Sequence, residues 1–163
     1  MRSVLAMMVV LGAGSAAAQD ITFTNAPTQV CLAEAKDVAR FDCIGASAMN
    51  CMSQSGGSTT VGMGFCLGRE LGFWDDRLNA AYARLRRVES KLMAAADAEE
   101  VRVPDTVTAL RDLQRAWLGF RDASCIYEYS TWGGGTGGGT ANTACLLDLT
   151  ALQALHLEDR LQE

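Results

Sequence analysis

The chain has 163 residues, with 14 Lys and Arg against 19 Asp and Glu for a formal net charge of −5, and 49% of it is hydrophobic. That length suits one domain with a real core, and the acidic balance argues against nucleic acid or stable insertion in an anionic membrane, both of which repel negative charge. A cationic partner would instead be steered toward it.

Met1-Arg2, the apolar run Val4 to Leu11 and Ala16-Ala17-Ala18 follow the three-part plan of a secretory signal peptide, cut before Gln19. The apolar run is too short for the ~20 residues of a membrane-spanning helix. Residues 1–18 are therefore expected to be a leader, and removing Arg2 with it makes the remainder one unit more acidic. A soluble periplasmic or secreted product follows.

Residues 19–41 are polar at first, contain Pro27, and are expected to form an extended lead-in to a single helical domain over 42–163. Asp42 to Met52 reads as a short helix with a bend near Gly45, and the glycine-rich Ser53 to Gly64 as a loop. From Cys66 to Met93 the apolar residues Leu67, Leu71, Trp74, Leu78, Tyr82, Leu85, Val88 and Leu92 recur at steps of three and four, the spacing of one helix face. Glu70, Asp75 and Asp76 in its first half and Arg84, Arg86, Arg87 and Lys91 in its second complement the helix dipole.

Val103-Pro104 interrupts that helix, and Asp105 or Thr106 can cap the next. A second stripe, Leu110, Leu113, Trp117, Phe120, Ser124 and Tyr127, predicts that the two long helices lie side by side, antiparallel because their connection is short. The helix should end near Tyr129 or Ser130, before the run WGGGTGGGT. A last helix from about Ala141 to Leu161, with Leu146, Leu149, Leu152, Leu155 and Leu157, would close the bundle. No useful strand alternation occurs, so the expected fold is all-α, a small disulfide-stapled antiparallel bundle.

All six cysteines, Cys31, Cys43, Cys51, Cys66, Cys125 and Cys145, follow the leader, and an even number in an exported chain reads as a disulfide framework. Cys125 and Cys145 flank one glycine-rich segment and Cys51 and Cys66 the other, which would leave Cys31 for Cys43, although the pairing among the first four stays open. Each closure could contribute roughly 3 kcal/mol. The absence of any C-x-x-C pair disfavours a metal site.

Cys66, Glu70, Trp74, Asp76, Leu78, Asn79 and Tyr82, then Gln114, Trp117, Arg121 and Cys125, then Gly133-Gly134 and Cys145 stand in an order and spacing that resembles the LprI-like lysozyme-inhibitor domain. LNAAY and QRAWLGFRDASC carry the resemblance, which covers roughly residues 60–160. It implies a small exported helical domain associated with inhibition of lysozyme in the cell envelope. The family's arginine after a threonine in the final helix has no counterpart here, since Thr150 is followed by Ala151-Leu152-Gln153 and the next arginine is Arg160. The segment CIGASAMNC also extends beyond the short form of the domain.

Glu70, Trp74, Asn79, Tyr82, Gln114, Trp117 and Arg121 are expected to be structural, the aromatics as core and Arg121 as the hub of an inter-helix hydrogen-bond cluster with Asn79 and Gln114. Tyr127, Tyr129 and Trp132 beside the glycine run are the candidate partner-binding residues. The G-x-G-x-x-G at Gly133, Gly135 and Gly138 follows no strand and precedes no lysine, so it is not read as a nucleotide loop, and no cofactor is expected. A lone His156 without a nucleophile motif, and the adjacent carboxylates Asp75-Asp76 and Glu99-Glu100 that diverge on a helix, do not suggest an enzyme. The expected function is a binding protein that inhibits lysozyme or docks on another basic envelope protein. An envelope-interaction protein without lysozyme affinity, or a cell-wall hydrolase, are the competing classes.

Overall fold

The computed structural model describes residues 20–162, so the expected leader and its cleavage site lie outside the described residues. Among these, five α-helices and a 3-10 segment form, with no strand: α1 Ala26–Glu34, the 3-10 segment Asp37–Cys43, α2 Ala46–Met52, α3 Thr60–Ala98, α4 Thr106–Ser130 and α5 Gly138–Asp159. The fold is the expected all-α, disulfide-stapled bundle.

α1 corrects the extended lead-in. Pro27 sits in the first turn of the helix, where its missing N–H costs no intrahelical bond, so the residue that suggested a break in fact starts the helix. The helix expected from Asp42 is likewise split: a 3-10 segment runs to Cys43, Gly45 takes φ +86°, and α2 begins after it. α3 starts at Thr60, with the Thr59 hydroxyl accepting from Gly62 N at 3.0 Å, so the last residues of the expected loop are helical. Asp105 caps α4 by accepting from Thr108 N at 2.9 Å.

α5 is the centre of the bundle. It packs extensively on both α3 and α4, which touch each other much less, so the expected pair of long helices side by side is not the core. The reason lies in α5 itself, whose buried Leu147, Thr150, Ala151, Gln153, Ala154, Leu155 and Leu157 cover more than one face, with alanines that admit a close neighbour. One cluster joins Trp74, Leu78 and Leu67 of α3 to Leu147, Ala151 and Leu155, and a second joins Ala81 and Leu85 to Leu110 and Leu157. α5 therefore runs parallel to α3 and antiparallel to α4.

The stripe on α3 is buried from Leu67 to Leu85, with Leu71 and Tyr82 partly covered, but Val88 is 41% and Leu92 60% exposed. Leu157 already packs at the level of Leu85, so the last turns of α3 extend past the end of α5. The predicted stripe of α4 is partly rotated out: Leu110 is buried and Trp117 packs against the core, but the rest of the stripe turns toward solvent. Leu113, Phe120 and Tyr127 are exposed, whereas Leu110, Gln114 and Cys125 face inward. Attachment to α5 sets that rotation through the Cys125–Cys145 disulfide, the Gln153 Nε2 donation to Gln114 Oε1 at 3.1 Å, and the Asn142 Nδ2 donation to Cys125 O at 2.9 Å.

The N-terminal elements are clasped to α3. Cys31–Cys43 joins α1 to the 3-10 segment, and Cys51–Cys66 joins α2 to α3. Between them Glu70 is wholly buried, accepting from Thr28 Oγ1 at 2.8 Å, Gly45 N at 3.0 Å, Ala48 N at 2.5 Å and Trp74 Nε1 at 3.2 Å. A carboxylate at the exposed amides that open α2 satisfies donors the helix itself cannot. Thr28 and Ser47 complete the set by bonding each other's backbone amides. At the far end, Glu158 near the C-terminus of α5 accepts two bonds from Arg77 at 2.9 and 2.8 Å and one from Arg40 at 2.7 Å, while Arg40 also pairs with Asp159. The arginines offset carboxylates placed at the unfavourable end of the helix dipole.

Candidate functional site

Two surfaces gather the residues singled out by the sequence. The first is the turn between α4 and α5, held at its base by Cys125–Cys145. Trp132 is 48% and Tyr129 49% exposed, yet neither ring is loose. A Cβ on Gly137 would lie 2.2 Å from the Trp132 ring, and one on Gly138 would lie 3.2 Å from the Tyr129 ring, so both aromatics rest on bare glycine backbone. The glycine run is thus a seat for two rings, and Gly138 and Gly139 already belong to α5. Tyr127, two residues before Tyr129, diverges on the helix and is 72% exposed on the side of Phe120. Tyr129 and Trp132 come together; Tyr127 stands at the edge.

Beside this turn a groove of about 580 Å³ runs between α4 and α5, with Phe120, Ala144 and Leu149 in its walls and Glu128 and Asp148 among its lining residues. Desolvation in the groove wall, and then repulsion from buried Glu70, hold the Asp148 carboxyl above the usual carboxylate range. From Asp122 to Asp159 the sequence has no lysine or arginine, so the turn and its groove carry no cationic side chain from this segment.

The second surface is a groove of about 440 Å³ between α3 and α4, left open because α5 holds these helices apart. Asn79, Tyr82, Gln114, Trp117 and Arg121 line it. Trp74 and Glu70 are buried in the core, but this half of the motif is not simply packing. Arg121 does not form the expected hub. It bonds its own neighbour Asp122 at 2.8 and 2.7 Å and lies over the Trp117 ring at 5.0 Å, while Asn79 donates to Asp75 and Gln114 accepts from Gln153. Each polar group is taken by a partner on its own helix or on α5, since α3 and α4 are too far splayed for a cluster to bridge them. Arg86, over the Tyr82 ring at 5.8 Å, Arg111 and Arg115 complete the groove. Sequence reasoning treated Arg86 as a dipole partner and passed over the other two, because only the tertiary fold puts them on one wall with the motif residues.

Among the described residues no group of three His, Cys, Asp or Glu side chains is placed to hold a metal ion, and no helix is long and apolar enough to cross a membrane. No curated protein and no solved structure matches the chain. A family model does: that of the lysozyme inhibitor LprI, over residues 51–157. The match reaches back to Cys51, so it takes in the Cys51–Cys66 bridge as well as the motif helices and the glycine turn. The chain belongs to the LprI lysozyme inhibitor family.

Proposed function

We propose that the protein is an exported inhibitor of lysozyme that acts by docking, with the turn bearing Tyr129 and Trp132 seated in the enzyme's cleft and Tyr127 at the edge of the contact. The observation that supports this most is the build of the turn: two half-exposed rings on a glycine seat, closed by a disulfide. Ordered aromatic side chains contribute large contact area with little further loss of entropy on binding. Glu128 and Asp148 supply negative charge nearby for a basic enzyme. Three disulfides fit an oxidising compartment, and family membership favours an inhibitor over an enzyme.

The test is lysis of cell-wall substrate by lysozyme titrated with the protein lacking residues 1–18. Gly137→Ala places a methyl where the Trp132 ring sits, so it should displace the ring and weaken inhibition about tenfold, or ~1.4 kcal/mol, while the melting temperature holds. Trp132→Ala should do the same. Equal inhibition by both variants and the parent would remove the turn from the contact. No inhibition at large molar excess would leave an envelope-interaction protein, and product released by the protein alone would mark a hydrolase.

A further inference from the structure

We infer that the groove between α3 and α4 is a separate binding site for an acidic peptide segment, independent of any action on lysozyme. In a chain of net charge −5, four guanidinium groups, Arg86, Arg111, Arg115 and Arg121, converge on one concave surface. The only carboxylate lining it is Asp75, and that is engaged by the Asn79 amide at 2.9 Å. Arg111 and Arg121 are drawn sideways to Asp112 and Asp122, which follow them on α4. Arg86 and Arg115 form no salt bridge among the described residues, although the charge of Arg115, after the hydrogen bond from Arg111, helps to lower the pKa of Asp112. Four arginines set against Asp112, Asp122 and the already engaged Asp75 leave the groove a cationic surplus centred on Arg86 and Arg115, complementary to a ligand that brings acids of its own.

The supports of these arginines narrow the ligand class. Arg86 and Arg121 are set against the Tyr82 and Trp117 rings, 5.8 and 5.0 Å from the ring centroids, which helps to order the guanidiniums. With guanidinium N–H donors as the main polar groups of its lining, the groove reads as a receiver of oxyanions. Arg111 and Arg121 are ten residues apart on α4, about 15 Å along the axis, which is the reach of four or five extended residues. An extended peptide with two or three Asp or Glu side chains could meet guanidiniums at both ends, each making paired N–H donations to a carboxylate.

Calorimetric titration with hexaglutamate at low salt tests this on the whole protein. Arg115→Glu and Arg86→Glu should each weaken binding at least tenfold. Arg102→Glu, which makes the same change of charge on the exposed connection between the helices and outside the groove, should weaken it by less than twofold. All three side chains are exposed, and thermal melting would verify that the variants stay folded. No binding by the parent, or equal weakening by all three variants, overturns the site. Binding of an acidic oligosaccharide such as oligogalacturonate in place of hexaglutamate overturns the peptide assignment.

Discussion

Two acids illustrate how neighbours decide what a carboxylate does. Glu70, without exposure, has four donors aimed at it and acts as the joint between α1, α2 and α3. Asp148 has a pKa raised by desolvation and by the negative charge of Glu70 behind it. Because its folded pKa lies above the unfolded value near 3.8, ionising it opposes folding. Below 3.8 it is protonated in both states and contributes no penalty; as pH rises through the raised folded value the penalty is fully established. Asp148→Asn should therefore leave the melting temperature unchanged near about pH 3 and raise it near about pH 7. A melt series across that range measures the difference, and a variant less stable than the parent at neutral pH would contradict it.

At the scale of elements, the rotation of α4 is the feature with the clearest consequences. The helix turns Leu110, Gln114 and Cys125 toward α5 and leaves Leu113, Phe120 and Tyr127 in solvent. Phe120→Ser, which would be ruinous if the apolar stripe were the buried one, should change unfolding free energy by no more than about 0.5 kcal/mol. Leu110→Ala, in the cluster with Leu85 and Leu157, should cost about 2–3 kcal/mol. Urea unfolding of the two variants checks the pair, and a reversed order would place Phe120 rather than Leu110 in the core. α3 shows the complementary case: its stripe continues to Leu92 in sequence, but its cover ends with α5.

For the whole molecule the decisive property is that charge is sorted by location. The α4–α5 groove carries Glu128 and Asp148, while the α3–α4 groove gathers arginines. If the turn docks on a basic partner as proposed, such a field would steer that partner to the turn and away from the arginine groove. Raising ionic strength from about 0.01 to about 0.1 M shortens the screening length from ~30 to ~10 Å, so association with lysozyme should slow by roughly an order of magnitude. Dissociation, set by the packed rings, should barely change. Surface plasmon resonance separates the two rates, and a salt-independent association rate would remove the steering role.

Helix content was legible in the sequence because the spacing of Leu67, Leu71, Trp74 and Leu78 is imposed by the geometry of one helix, and Asp105 caps α4 through a purely local bond. The Cys125–Cys145 bridge was legible for the same reason, since it closes a connection between neighbours in sequence, whereas the expected Cys51–Cys66 pairing had alternatives that only the fold removed. By itself, then, the chain determined its all-α class, its main helices and its family. Only the tertiary structure decided which stripe was covered, because burial depends on a partner: α5, apolar on several faces, took the place between α3 and α4. That choice exposed Phe120 and Tyr127, opened the arginine groove and set Tyr129 beside Trp132, none of which is encoded by spacing along any one helix.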